Sequence, residues 1–573
     1  KKSNPRAHVG LQTGQLLGTR KCAGMRGVFP HLLFAAALPV AASLVAASPQ
    51  EVQPPVRTKI ASLPGVSGAL PNEMYTGYID AGTPPSGVGT MYFHYWCIMS
   101  ARNSSADPVI FWYNGGPGAS SLFGILQEFG PLLLNQNSYD EAYKKTGVPT
   151  PQRNLWAWTE ENTVCALDSP PPMGLSFCSE EGPGGSPTSC GPWTDTSVFA
   201  ANHKAHVAFY EKVFPELKPN PMYFMGESYA GIYVPGFVEA MMDDPVPGLN
   251  FKGFGVGDGF PGCPVEPGRP VNWCIDLDNV GLFKYPNALP GPYWDLEFFH
   301  GRSQMSTELY NNIHSTCTMA ELRGQEMPLS QRCQELVDQV DAEVGSFDAY
   351  NVLNACPPAE SLDLLGKHGT NAAARVRAAA HSLSAEITPG DGDGGLGSPC
   401  LGNSISEWLL RPETLAAIGA PANSSFINLD NGHGFNYTTN RASVADVYEK
   451  AIKQGLRVLL YEGDMDACGL GMLPLEEMFV PFLDRLAERT QRWRPWAVSA
   501  GKQILGGYAY EWDGGRVRFA SIRGAGHMSP LNRPHAAFTL INALTQEGSL
   551  PPLPGKSPGA DQAPRPKPKV LHA

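Results

Sequence analysis

Positive charge is scarce in this chain. Its 573 residues carry 42 Lys and Arg against 54 Asp and Glu, a formal net charge of −12, with 17% of positions charged. Nothing here neutralises phosphates in quantity, which argues against a nucleic-acid partner. No CxxC pair and no HExxH helix occurs, so neither a metal nor another cofactor is indicated. No internal repeat is evident. Beyond the N-terminal region no uncharged run is long enough to span a bilayer. What is plentiful is loop material: 62 glycines and 53 prolines point to long connections rather than a helical bundle. With 42% hydrophobic content the chain can still bury a large core, as one big domain plus an inserted subdomain.

The first methionine is Met25, so residues 1–24 read as an upstream extension. From there one arginine, an apolar stretch and a run of small residues make 25–47 a secretory signal, with cleavage after Ala47. The alternative, an uncleaved anchor, fits poorly with Pro30 and Pro39, and no stable membrane span is expected after cleavage. Of 12 cysteines, Cys22 precedes the presumed start; the remainder is an odd number, which suits an oxidising compartment and leaves at least one thiol over in a monomer. Cys178/Cys190, Cys263/Cys274 and Cys317/Cys333 are spaced for local bridges. Sequons at Asn103, Asn423 and Asn436 are candidate glycosylation sites. The destination is the secretory pathway, with vacuole, lysosome and exterior all open.

Thr76–Met99, Val109–Tyr113, Val164–Leu167, Phe251–Val256, Arg457–Tyr461 and Val517–Ile522 read as strands. Leu122–Phe129, Thr194–Phe214 and Pro534–Thr545 read as helices between them. Such alternation predicts an α/β fold, a mostly parallel central sheet with helices on both faces. The expected boundaries are a core over 60–261 and 408–548, an inserted helical cap over 262–407, and a disordered Pro/Lys-rich tail over 549–573.

The chemistry gathers in the loops. Pro221–Gly231, PMYFMGESYAG, is an apolar run breaking into a glycine-flanked turn that carries Ser228, the setting of a nucleophile elbow. Further on, LRVLLY runs into EGDMDACG and RVRFASIR into GAGHMSPLNRP. The order Ser, Asp, His at strand ends is that of an α/β-hydrolase, with Ser228 as nucleophile, His527 as base and Asp466 orienting it. Upstream, NGGPG can bring a backbone N–H up to a developing oxyanion.

NGGPGASS, LDSPPPMGLSF, GESYAGIYVP, GDMDACG and GAGHMSPLNRPHAAF, in this order, resemble the serine carboxypeptidase family over about Thr76 to Thr545. The resemblance implies an α/β-hydrolase fold and removal of single C-terminal residues from peptides at acidic pH. It implies an oxyanion hole from the N–H groups of Gly116 and Tyr229. It also implies that Asn114 and Glu227 bind the substrate carboxylate, with Glu128 pairing to Glu227. Two carboxylates in contact cannot both ionise cheaply, so a shared proton would let Glu227 donate to a peptide terminus.

The chain departs from the family in three places. Ala119 stands where a cysteine is usual, and Gly257-Asp258-Gly259 replaces a glycine–asparagine–glycine turn. Cys468 follows Asp466 by two residues rather than three, which makes Asp464 the alternative orienting acid and Cys468 a candidate free thiol near the site. An acyltransferase on the same scaffold, or a non-enzymatic protective partner in a lumenal complex, are the competing functions. Monomer and homodimer are both open.

Overall fold

The computed structural model describes residues 54–553 apart from 260–291, 327, 346, 349, 354–402, 430–433, 442, 468–471 and 500–503. The signal segment, Cys263/Cys274, Cys468 and most of the expected cap lie outside the described residues.

Twelve strands form one sheet: β1 (Thr58–Lys59), β2 (Met74–Asp80), β3 (Met91–Ile98), β4 (Val109–Tyr113), β5 (Thr163–Leu167), β6 (Phe177–Cys178), β7 (Met222–Glu227), β8 (Phe251–Gly257), β9 (Arg457–Gly463), β10 (Arg489–Ala497), β11 (Leu505–Trp512) and β12 (Val517–Ile522). The order is β1-β2-β3-β5-β4-β7-β8-β9-β12-β11-β10, with β6 pairing to β3. The six strands from β5 to β12 run parallel, and both flanks are antiparallel. Strand β4, VIFWY, is apolar at every position because it is buried on both faces.

Two differences from the sequence reading have plain causes. Thr76–Met99 is not one strand but the hairpin β2–β3, turned through Gly82, Gly87 and Gly89, all at positive φ. The β10–β11 hairpin was not foreseen: its outer strand opens RTQRWR, a solvent-facing edge without an apolar run. The segment expected as tail from 549 begins packed, with Leu550 buried and the Pro551 carbonyl accepting from Ala497 N–H at 2.8 Å.

Cys97 and Cys165 are direct partners across β3 and β5, and they form a disulfide at a Cα separation of 4.0 Å. Cys178–Cys190 and Cys317–Cys333 are bridged as their spacing predicts, and no described cysteine is free. The described part of the cap has its own small core. Leu309 and Ile313 of helix Thr307–Thr316 face Val337 and Val340 of helix Gln331–Val344. The Cys317–Cys333 bridge closes the loop between these helices, a constraint worth about 3 kcal/mol for a loop of this length.

Strands β4, β7, β8, β9 and β12 are consecutive in the sheet and parallel. The chain leaves them into NGGPG, GESYAG, GDG, GDMD and GAGHM respectively, so all five loops emerge along one edge. The carboxyl ends of parallel strands are where open α/β sheets place their ligands.

Candidate active site

Ser228 sits at φ +63°, in the left-handed region that a non-glycine residue adopts only when its surroundings enforce it. The enforcement is visible. Ser228 N–H donates to the Gly257 carbonyl at 3.0 Å, and helix Ala230–Asp243 starts two residues on. A Cβ at Gly226 would lie 2.5 Å from both Ala230 Cβ and the Tyr113 carbonyl oxygen, so only glycine permits so sharp a bend. Ser228 itself is half-buried.

The NGGPG loop backs onto this turn. A Cβ at Gly115 would lie 2.3 Å from Tyr229 N and 2.8 Å from Ser228 Cβ, and Gly116 adopts φ +108°. The Tyr229 hydroxyl donates to Asp195 Oδ1 at 2.5 Å, and Tyr437 donates to the same oxygen at 2.6 Å. Asp195 opens helix Asp195–Ala208 behind a Thr194–Ser197 capping box, and it went unnoticed in the sequence because a first-turn aspartate is ordinary there.

Asp466 and His527 meet: the imidazole Nδ1 lies 2.8 Å from Asp466 Oδ2, both residues being buried. Asp464 is elsewhere, its Oδ1 accepting from Gly524 N–H at 2.6 Å, so it shapes the turn before the histidine rather than touching it. Residues of the expected cap segment reach these loops. His527 N–H donates to the Tyr350 carbonyl at 2.6 Å, and the Tyr350 ring stands edge-on to the imidazole at 5.0 Å. Val352 N–H donates to the Met465 carbonyl, and the Arg302 guanidinium donates to the Asp464 carbonyl. Nothing in the sequence around Tyr350 marks this contact.

The third group is acidic. The Asn114 amide donates to Glu227 Oε1 at 2.8 Å and to Glu128 Oε1 at 3.2 Å, while its own carbonyl accepts from Trp112 Nε1 and Gly124 N. Those two donors fix which way the amide points, so its N–H groups must face the carboxyls. Glu128 sits on a π-helical turn, Gly124–Glu128, and is 1% exposed; Glu227 is 4% exposed. Burial pushes both carboxyls above the ordinary range, and the neighbouring Glu128 charge pushes Glu227 further. The Oε2 oxygens of both are buried and face no N–H or O–H donor, and the two carboxyls lie in hydrogen-bonding contact with each other.

A second acidic group lies under the histidine. Oxygens of Asp258, Glu462 and Asp466 fall within 4.8 Å of one another, the one such grouping among the described residues. Asp258 Oδ1 accepts from Gly463 N–H, Asp258 Oδ2 lies 2.9 Å from Ser529 Oγ and Asp466 Oδ2 faces the imidazole, while Glu462 Oε2 has no hydrogen-bond partner. The sequons Asn103, Asn423 and Asn436 are all exposed.

The sequence model described as serine carboxypeptidase matches residues 64–547. Similar proteins include serine carboxypeptidase-like 21 of Arabidopsis thaliana, 28% identical over 84% of this chain and 93% of that relative. The lysosomal protective protein of Mus musculus is 28% identical over 85% of this chain and 93% of its own length. Among solved structures, Kex1(delta)p, a prohormone-processing carboxypeptidase from Saccharomyces cerevisiae, superposes with a TM-score of 0.52 at 16% identity, covering 87% of this chain and 95% of that one. That likeness supports the α/β-hydrolase fold, and the match of the family's sequence model over most of the length shows that the chain belongs to the serine carboxypeptidase family.

Proposed function

We propose that the protein releases single C-terminal residues from peptides at acidic pH through an acyl-enzyme on Ser228. His527 takes the serine proton and passes it to the leaving amine, and Asp466 holds the imidazole and stabilises its charged form. The N–H groups of Gly116 and Tyr229 receive the oxyanion, Gly116 from a backbone turned to positive φ and Tyr229 from the start of the helix after the elbow.

The observation that carries the peptide-terminus reading is the convergence of one oriented amide, Asn114, on two buried carboxyls beside the nucleophile. Buried, mutually close acids hold a proton to higher pH than exposed ones. With the pair protonated, Glu227 can donate to a substrate carboxylate. Loss of that proton leaves negative charge facing negative charge. KM for peptides therefore rises with pH, an effect on binding separate from any on the serine chemistry.

Glu227→Gln tests this. The amide keeps a donor at every pH, so the rise in KM seen in the wild type should flatten in the variant, read from KM against pH for blocked dipeptides. A rise of unchanged size would remove Glu227 from carboxylate binding. A glucose ester turned over with an alcohol acceptor in preference to the dipeptide would instead favour acyl transfer. The exposed sequons and the signal-like segment support passage through the secretory pathway, with glycans at Asn103, Asn423 and Asn436. Treatment with an endoglycosidase should lower the apparent mass of the secreted protein.

A further inference from the structure

Two acids beneath the Asp466–His527 pair have no task in the reaction assigned above. Asp258 follows β8 and Glu462 lies on β9; each is 1% exposed, and with Asp466 they crowd three carboxyls into 4.8 Å. Other titratable groups near Asp258 are His527, from the loop after β12, with Tyr461 from β9 and Glu227 from β7. Three buried carboxylates at this spacing cannot all be ionised, and Asp466 needs its charge to hold an imidazolium.

The single proton of the Ser529 hydroxyl faces two oxygens. Asp258 Oδ1 accepts from Gly463 N–H at 2.6 Å. Its Oδ2 is 2.9 Å from Ser529 Oγ, which is also 3.1 Å from the Gly526 carbonyl oxygen. A serine hydroxyl has one proton and a carbonyl can only accept. When Ser529 donates to Gly526, the contact with Asp258 is a hydrogen bond only if Asp258 supplies the proton.

We propose that Asp258 is a positioning residue: as a neutral acid it donates through Ser529 to the Gly526 carbonyl, fixes the loop that presents His527, and leaves Asp466 the charged carboxylate under the imidazole. Burial first, and the Asp466 charge second, push the Asp258 carboxyl well above its usual range, which keeps it neutral in acid. Once that proton is lost, the Ser529 hydroxyl turns to Asp258 and the Gly526 carbonyl loses its donor. With that anchor gone, the loop no longer holds His527 in its productive position, and kcat falls. The result is an alkaline shut-off built beneath the triad, separate from the substrate-carboxylate pair. It rests on His527 being the base of the proposed reaction.

The test uses kcat for a blocked amino-acid ester, which has no free carboxylate and so takes carboxylate binding by Glu128 and Glu227 out of the readout. Wild-type kcat should fall reversibly on the alkaline side by roughly tenfold, the scale of losing one hydrogen bond that positions the base. Asp258→Asn keeps the neutral pattern, Oδ1 accepting from Gly463 and Nδ2 donating to Ser529, and has no proton to lose; its kcat should stay level there. Superimposable profiles would overturn the inference. Two arms do not depend on that variant folding. A wild-type kcat with no alkaline fall overturns it, and so does loss of the fall in Glu462→Gln, which would place the proton on Glu462. Failure of a fluorophosphonate to label Ser228 would sink the assigned reaction, and this inference with it; a labelled enzyme with superimposable profiles sinks the inference alone.

Discussion

Among the described residues are two buried histidine–aspartate pairs that look alike on paper. In one, His527 Nδ1 faces Asp466 Oδ2 at 2.8 Å; in the other, His94 Nδ1 faces Asp168 Oδ2 at 3.1 Å. The second even has a serine, since Ser120 Oγ donates to Asp168 Oδ1 at 2.5 Å. Their placement separates them. His94 lies in the middle of β3 with no exposed surface, and its other ring nitrogen is engaged by Thr76 Oγ1 at 3.0 Å. Asp168 is filled on all sides, accepting also from Leu175 N–H. That set has no room for a substrate and ties the NGGPGASS loop, through Ser120, to the sheet. His527 instead sits on a loop at the carboxyl edge of the sheet, its N–H held by the Tyr350 carbonyl. Residue identity alone does not separate the two pairs; position at the sheet edge does.

The largest expected effect comes from matched substitutions at the two aspartates. Asp466→Asn should lower kcat by about 10⁴-fold, because the imidazole is then held in the wrong tautomer, with little change in Tm. Asp168→Asn should do the reverse. It leaves His94 or Ser120 with a mismatched buried partner and costs roughly 3–5 kcal/mol of stability, while the molecules that remain folded still react with a fluorophosphonate. If Asp168→Asn removed labelling from folded protein, the inner pair would be part of the reaction and the distinction would collapse.

A smaller effect sharpens the same contrast. Gly174 has φ +61°, and a Cβ there would lie 2.0 Å from Asp168 Cγ. Gly174→Ala should therefore cost about 1–3 kcal/mol by pushing on the inner pair, read as a lower midpoint in denaturant with kcat maintained.

Much of this was legible in the chain. Val517–Ile522 and Pro534–Thr545 fall at the expected bounds, because each has a clear apolar pattern between strong breakers. The hairpin at Met74–Ile98 was hidden inside a continuous β-like pattern, and the β10–β11 edge lacked the apolar alternation that marks a half-buried strand. Contacts between residues far apart in sequence were out of reach. Nothing local to Tyr350 shows that its carbonyl holds His527 N–H, or that the Asp195 carboxylate anchors the Tyr229 hydroxyl.

By itself the sequence determined the cast: a serine on a glycine-flanked bend, acids and a histidine just past apolar strands, and a glycine loop upstream. Such features are local, since strand pattern and turn chemistry depend on near neighbours. The tertiary structure decided how the acids divide the work. Asp464 and Asp466 are two residues apart on one tight loop, yet one caps Gly524 N–H and the other meets the imidazole. Alternate side chains on a turning backbone face different neighbours, and only the packing of β8, β9 and β12 side by side fixes which neighbour each one finds.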